Sequence, residues 1–289
     1  MIIKQLIAII LSFFMTLGIY TPAEKKIRNV PEKEEESLRI ISFNVRCADD
    51  LYGSVKGRSQ LVTSAIRQYK PDSFGVQEAT PRWLDAIDAE LGDDYACVAQ
   101  LRDDTDGAEA SAVYYLKDKY ELLDSGTMWL SETPEVFASK LEKSGCTRVA
   151  TWATLKDKTS GKIYTHVNTH LDHLLEEVRV EQVKILETKI EELKAQGYPI
   201  ACTGDFNTYE GDEAYNEMIT CLKDSKYLAA DTDKGKTFHD YGLVLFENRP
   251  IDFVFVSDGI TVNRYKIIDE KINMMYLSDH YGICVDLAF

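Results

Sequence analysis

Paired cysteines are missing from this chain. Its six, Cys47, Cys97, Cys146, Cys202, Cys221 and Cys284, are scattered and form no Cys-x-x-Cys, which excludes a zinc knuckle and a dense disulfide framework. One or two disulfides stay open in an oxidising compartment; Cys202 and Cys284 lie in apolar runs and read as packed thiols. Positive charge is scarce as well. Against 48 Asp and Glu stand 33 Lys and Arg, a formal net charge of -15. Such a surface repels a phosphate backbone, and no basic or aromatic groove for a single strand is legible, so nucleic acid is disfavoured as a partner. Small phosphate esters, reached with the help of a bound cation, suit that charge better. No internal repeat is visible, and a charged fraction of 28% with 45% hydrophobic residues is that of a folded domain.

The apolar run that follows Lys4, LIAIILSFFMTLGIY, has about 15 residues, which is signal-peptide length and short for a membrane span. Residues 1–23 therefore read as a signal peptide or N-terminal anchor, with cleavage after Ala23 favoured over anchoring. No cysteine follows to carry a lipid. Membrane contact is expected only through this segment if it is uncleaved, and the protein is expected to be secreted or extracytoplasmic. Residues 24–37 carry charge of both signs and little to bury, a linker composition. The folded body runs from Leu38 to Phe289.

Within it, strand-like alternation covers 38–45, 73–77, 95–101, 111–116, 121–130, 147–155, 162–168, 200–202, 251–256, 261–267 and 282–287. Helical spacing covers 58–69, 81–91, 174–193 and 213–221. Strands outnumber helices, many neighbours can pair as antiparallel ribbons, and the helices are amphipathic. That pattern predicts two sheets packed face to face with helices outside, a four-layer α/β sandwich.

Polar residues of the kind phosphate chemistry uses stand at the ends of these strands. The stretch Pro199 to Asn207, PIACTGDFN, is the most pointed: extended past Gly204, its period of two sends Asp205 and Asn207 to one side, an acceptor and a donor for one phosphate and its attacking water. An Asx turn after a strand is the plainer reading of GDFN alone. Asn44, Glu78, His170, Asp252 and Asp279-His280 end or open other strands, and in one stack of sheets such groups converge on one rim.

Taken together, FNV with Asn44, VQE with Glu78, NTHLDH with His170, GDFN, IDFVFVS with Asp252, and Ser278-Asp279-His280 resemble the exonuclease-endonuclease-phosphatase superfamily, in its order, over about Leu38 to Phe289. The phrases MWLSETP and TRVATWATL resemble its exported bacterial members. The resemblance implies a divalent cation, Mg²⁺ or Mn²⁺, with Glu78 as principal ligand and Asn44 and Asp279 beside it. It implies that Asp205 takes the proton of the attacking water and that Asn207 holds a phosphate oxygen. His170 and His280 would lie against the phosphoryl oxygens, oriented by Glu109 and Asp252 respectively.

Arg148 is a candidate phosphate clamp through its planar fork. His170-Leu171-Asp172-His173 lacks the middle histidine of an HxHxDH zinc motif, so Asp172 and His173 are expected to cap the following helix or line the rim. Arg102 to Gly107 reads as a solvated loop rather than a calcium loop. Trp129 and Trp152 are expected in the core and Trp83 on a partly exposed helix face. The function expected is a secreted Mg²⁺-dependent phosphate-ester hydrolase, a phosphodiesterase first; a nuclease, sphingomyelinase or sugar- or inositol-phosphate phosphatase of the same superfamily, and a non-catalytic binding module, are the alternatives.

Overall fold

The computed structural model describes residues 2–17, 27, 29–34 and 36–289. Its strands are β1 (Leu38–Asn44), β2 (Ser73–Ala79), β3 (Tyr95–Val98), β4 (Ala110–Leu116), β5 (Tyr120–Trp129), β6 (Val149–Asp157), β7 (Ile163–His170), β8 (Ile200–Asp205), β9 (Lys223–Asp224), β10 (Asp231–Thr232), β11 (Asp252–Val256), β12 (Thr261–Ile268) and β13 (Gly282–Ala288). Its helices are α1 (Ile2–Thr16), α2 (Val55–Tyr69), α3 (Pro81–Leu91), α4 (Glu176–Lys194), α5 (Glu213–Cys221) and α6 (Ser225–Leu228). A seven-stranded sheet has the order β10-β12-β13-β1-β2-β4-β3, and a six-stranded sheet the order β5-β6-β7-β8-β11-β9. The expected four-layer sandwich is the architecture found.

Strand alternation explains the layers. Ile41 and Phe43 of β1 pack outward against Leu61, Val62 and Ile66 of α2 and Trp83 and Ile87 of α3. Cys202 of β8 and Phe253 and Phe255 of β11 pack outward against Val183, Leu186 and Ile190 of α4 and Met218 of α5. The intervening residues, Ile40, Ala201, Val254 and Val256, meet Ile283 and Val285 between the sheets.

Towards one end that inner layer turns polar. His166 bridges Ser73 Oγ (2.8 Å) and Thr203 Oγ1 (2.9 Å), and Asn168 Oδ1 accepts from Gln77 Nε2 (2.6 Å) and Thr203 Oγ1 (2.9 Å). Every one of these side chains is buried, and these hydrogen bonds tie the two sheets together. The sheets approach closely at Gly75, where a Cβ would lie 2.3 Å from Thr203 Oγ1 and 2.5 Å from Asn168 Oδ1. Burial pushes the His166 imidazole down to about 3, so it stays neutral there.

Several expectations change. Trp83 is fully buried rather than partly exposed, its Nε1 donating to Arg46 O at 2.8 Å. Trp152 is only partly covered, with Lys189 Nζ 4.3 Å above its ring, because its side of β6 is screened by the flexible stems of α4. All six cysteines are free thiols. Of the leader expected over 1–23, α1 lies against α2, with Thr16 Oγ1 2.8 Å from Ser54 Oγ, and the cleavage position lies outside the described residues. No helix among the described residues is long and apolar enough to cross a membrane. The described part of 24–37 runs along the body, where Ile27 is buried and Lys33 Nζ reaches Asp72 Oδ2.

Candidate active site

Period-two geometry carries the inner polar layer outward to a mouth between the sheets. Ser42 precedes Asn44 on β1, Asn168 precedes His170 on β7, and Thr203 precedes Asp205 on β8, each pair on one face. His170 pairs with Asp205 in the parallel β7–β8 register, and Asp252 pairs with Asp205 across β8–β11. Strand register alone thus brings three of the predicted groups together.

Glu78 arrives differently. Gln77 already faces inward, so strict alternation would turn Glu78 away. The β2–β4 register slips between Val76 and Ala79, and Glu78 adopts φ 62°. A bulge with a strained residue re-aims that carboxylate into the mouth. There Oε1 accepts from Asn44 Nδ2 (3.0 Å) and Oε2 from the Cys47 amide (2.8 Å). Burial would raise the Glu78 carboxyl, but these donors and the charge of His280 overcome it and hold it below the usual range.

Asp205 is the hub. Its Oδ2 accepts from Asn44 Nδ2 (2.9 Å) and lies 3.5 Å from His170 Nε2 and 3.8 Å from His280 Nε2. Its Oδ1 accepts from the Asn207 amide at 3.0 Å. Burial first, and the charge of Asp252 second, push this carboxyl up to about 7. His280 Nδ1 is 2.8 Å from Asp252 Oδ2; burial opposes its charge, yet Asp252 and Asp205 raise it to about 10. His170 goes the other way, held well below its ordinary value by burial and by the charges of Arg148 and His280. One imidazole is therefore cationic and its neighbour neutral.

Three predicted placements are altered. Asn207 is not on an extended strand: it has φ 49°, closes an Asx turn on Asp205, and donates its Nδ2 to Leu171 O at 3.0 Å. The turn reading and the site reading are both realised in one segment. Asn44 turns its amide nitrogen, not its oxygen, toward Glu78 and Asp205, while its Oδ1 accepts from the Arg46 amide (3.0 Å). An N–H donor pair between two carboxylates bridges them and offers no lone pair to a cation. Glu109 does not orient His170, whose Nδ1 has no partner; its Oε2 accepts from Arg102 Nη1 at 2.6 Å, because the 102–109 loop folds back on itself. Asp172 staples the rim as expected, accepting from Leu174 N (2.8 Å) and Gly145 N (2.7 Å).

The rest of the mouth was not legible in the motifs. Arg46, at φ 63°, reaches within 3.6 Å of Asp279 Oδ2. The His239 amide donates to Asp279 O (3.0 Å), with its ring between Tyr276 and Tyr281. Only the position of Arg46, two residues past Asn44, was a signal in the sequence.

Oxygen donors dominate one side. Ligand atoms of Cys47, Glu78 and Glu109 lie within 4.8 Å of one another, as do those of Asp205, Asp252 and His280. Burial and the Glu78 charge raise Asp279 and Glu109 as well, and Asp252 Oδ1 is buried without a partner. Carboxylates supply most of these donors, with Cys47 and His280 among them, and the surplus buried negative charge fits a divalent cation.

Residues 41–280 match the sequence profile of the Endonuclease/Exonuclease/phosphatase family. The chain belongs to that family. It is accordingly a hydrolase acting on phosphate esters. Among solved structures, the endonuclease/exonuclease/phosphatase from Bacteroides vulgatus is 34% identical, with 88% of this chain and 99% of that one covered and a TM-score of 0.81. The mannosyl-6-phosphatase of Bacteroides thetaiotaomicron VPI-5482 is 29% identical over 88% of this chain and 100% of that one, with a TM-score of 0.80. The catalytic domain of human Nocturnin shares the family fold at 19% identity, covering 89% of this chain and 96% of its own, with a TM-score of 0.70. No curated protein sequence matches the chain significantly.

Proposed function

We propose that the protein hydrolyses small phosphate esters by attack of water on phosphorus, with Mg²⁺, or Mn²⁺ in its place, held by Glu78 and Asp279 with Glu109 at its edge. The observation that carries this is Asp205 Oδ2, ringed by Asn44, His170 and His280 within 3.8 Å and set beside that carboxylate group. A cation there neutralises charge developing on the phosphoryl oxygens.

Asp205 accepts the proton of the attacking water, its raised carboxyl matched to a base working near neutral pH. Asn44 fixes the direction of that carboxylate by bridging it to Glu78. His280, kept cationic by Asp252, donates to a phosphoryl oxygen as its charge grows, and His170 borders the same oxygens without adding charge. As the new P–O bond forms, the ester P–O bond breaks and the leaving alkoxide takes a proton from solvent.

The likeness to a mannosyl-6-phosphatase supports a sugar-sized substrate, and the net charge of -15 disfavours a nucleic acid. Export belongs to the same reading, on the apolar run after Lys4; fractionation of expressing cells, with the N-terminus of the product read by mass, checks it. For the activity, purified protein is assayed on p-nitrophenyl phosphate, bis(p-nitrophenyl) phosphate, mannose 6-phosphate and single-stranded DNA with Mg²⁺ and with EDTA. Turnover of a small ester that EDTA abolishes is expected. Turnover that survives EDTA, or activity on DNA alone, would overturn it.

A further inference from the structure

Three arginine side chains are deeply buried, and in two of them both terminal guanidinium nitrogens donate within the chain. Arg39 donates to both oxygens of Asp286 and to two backbone carbonyls. Arg58 donates to the carbonyls of Val45, Arg46 and Ala48. Arg148 is different. Its side chain is 5% exposed, yet it donates no hydrogen bond to any described group, and its Nε is buried without a partner. Its nearest carboxylate, Glu109 Oε2, is 3.9 Å away, too far for a hydrogen bond, and is already taken by Arg102 at 2.6 Å.

A guanidinium removed from water without a partner is costly unless something outside the chain completes it. Arg148 directly precedes β6, whose Ala150 pairs with Thr169 of β7, so it stands beside the end of β7 that carries His170. The charges of Arg148 and Glu109 both reach into the catalytic mouth. His170 Nδ1 is a further buried atom without a partner among the described residues.

Resting on the phosphoesterase reading above, we propose that Arg148 is the residue that selects a terminal phosphate: its fork takes the outer oxygens of a phosphomonoester, so the enzyme prefers monoesters to diesters. The chemistry follows from counting oxygens. A monoester presents three non-bridging oxygens and, like a phosphorylated side chain, a charge of about -1.5 to -2 at neutral pH. With His280 and the cation side of the mouth engaging two of them, the third is left for Arg148, and a planar guanidinium binds such an oxyanion in fork geometry. In a diester that position carries an ester carbon and one charge less. Arg148 then faces an apolar group and stays unmatched, which selects against the diester as strongly as it favours the monoester. The diester expected from the sequence gives way to a monoester in this reading.

The test compares wild type, Arg148→Met and Arg148→Lys as full-length protein with Mg²⁺ on p-nitrophenyl phosphate and bis(p-nitrophenyl) phosphate, with inorganic phosphate as inhibitor. Arg148→Met is expected to lower kcat/KM on the monoester about 10²-fold more than on the diester, the equivalent of a lost charge-assisted hydrogen-bond pair. Its inhibition constant for inorganic phosphate should rise in parallel. Arg148→Lys should recover part of the monoester loss, since it restores charge without the fork. The melting temperature should not fall, because no hydrogen bond within the chain is removed. An equal loss on both esters, an unchanged phosphate inhibition, or full recovery with lysine overturns the assignment. If wild type hydrolyses neither ester, the broader reading fails instead.

Discussion

Replacing Asp205 by asparagine puts the chemistry to its hardest test. The carboxylate accepts Asn44 Nδ2 on one oxygen and the Asn207 amide on the other, at 2.9 and 3.0 Å. A carboxamide has one acceptor oxygen, so whichever way it turns, its NH₂ faces one of those donors. Leaving that buried donor unmatched costs on the order of 1–3 kcal/mol. Removal of a buried negative charge beside Asp252 offsets part of this, so the fold should survive with a modest shift in melting temperature.

The proton acceptor, by contrast, is gone. A lost general base lowers kcat/KM by about 10²–10⁴, equivalent to about 3–5 kcal/mol of barrier. The pH profile sharpens the test. Burial and then the Asp252 charge push the Asp205 carboxyl up to about 7, and its basic form is lost as pH falls through the folded value. Wild-type kcat/KM should therefore decline about tenfold per pH unit on an acid limb well above the ~3.9 of free aspartate; a bound cation moves that limb lower without removing it. The assay is p-nitrophenyl phosphate turnover with Mg²⁺ across roughly pH 4 to 9, with circular dichroism melting alongside. If Asp205→Asn keeps more than about a tenth of kcat/KM, or loses rate yet keeps the acid limb, Asp205 is not the base.

Asp252→Asn removes the carboxylate that keeps His280 cationic at a 2.8 Å contact. The imidazolium is lost as pH rises through its folded value, so the alkaline limb should move toward neutral and activity fall about 10–100-fold; an unmoved limb would refute the pairing. Gly75→Ala forces a Cβ to within 2.5 Å of Thr203 and Asn168 beneath the mouth. Overpacking of this kind should cost about 1–3 kcal/mol and lower the melting temperature by several degrees, and a variant melting with wild type would show that the sheets part freely there.

The placement of the site depended on unequal signals. Apolar alternation in β1, β8 and β11 carries its own layer assignment, and His170, Asp205, Asp252 and His280 could be named because they stand at strand ends within motifs that resemble the family's, in its order. Glu109 was named for the wrong partner, since nothing in GAEAS says that Arg102, seven residues earlier, folds back onto it. Trp83 was misplaced because its indole is buried by a loop carbonyl of Arg46, a contact set by the packing of α3.

What the residues determined unaided is therefore the order and kind of elements and the two-faced strands, because those are local patterns with fixed periods; the acid-histidine set was legible as strand-end residues whose motifs resemble those of a known family. Tertiary structure decided the rest: the bulge that swings Glu78 inward, the amide of Asn44 shared between two carboxylates, and the guanidinium of Arg148 left without a partner. Each depends on which distant atom stands opposite, and periodicity along a chain holds no record of that distance.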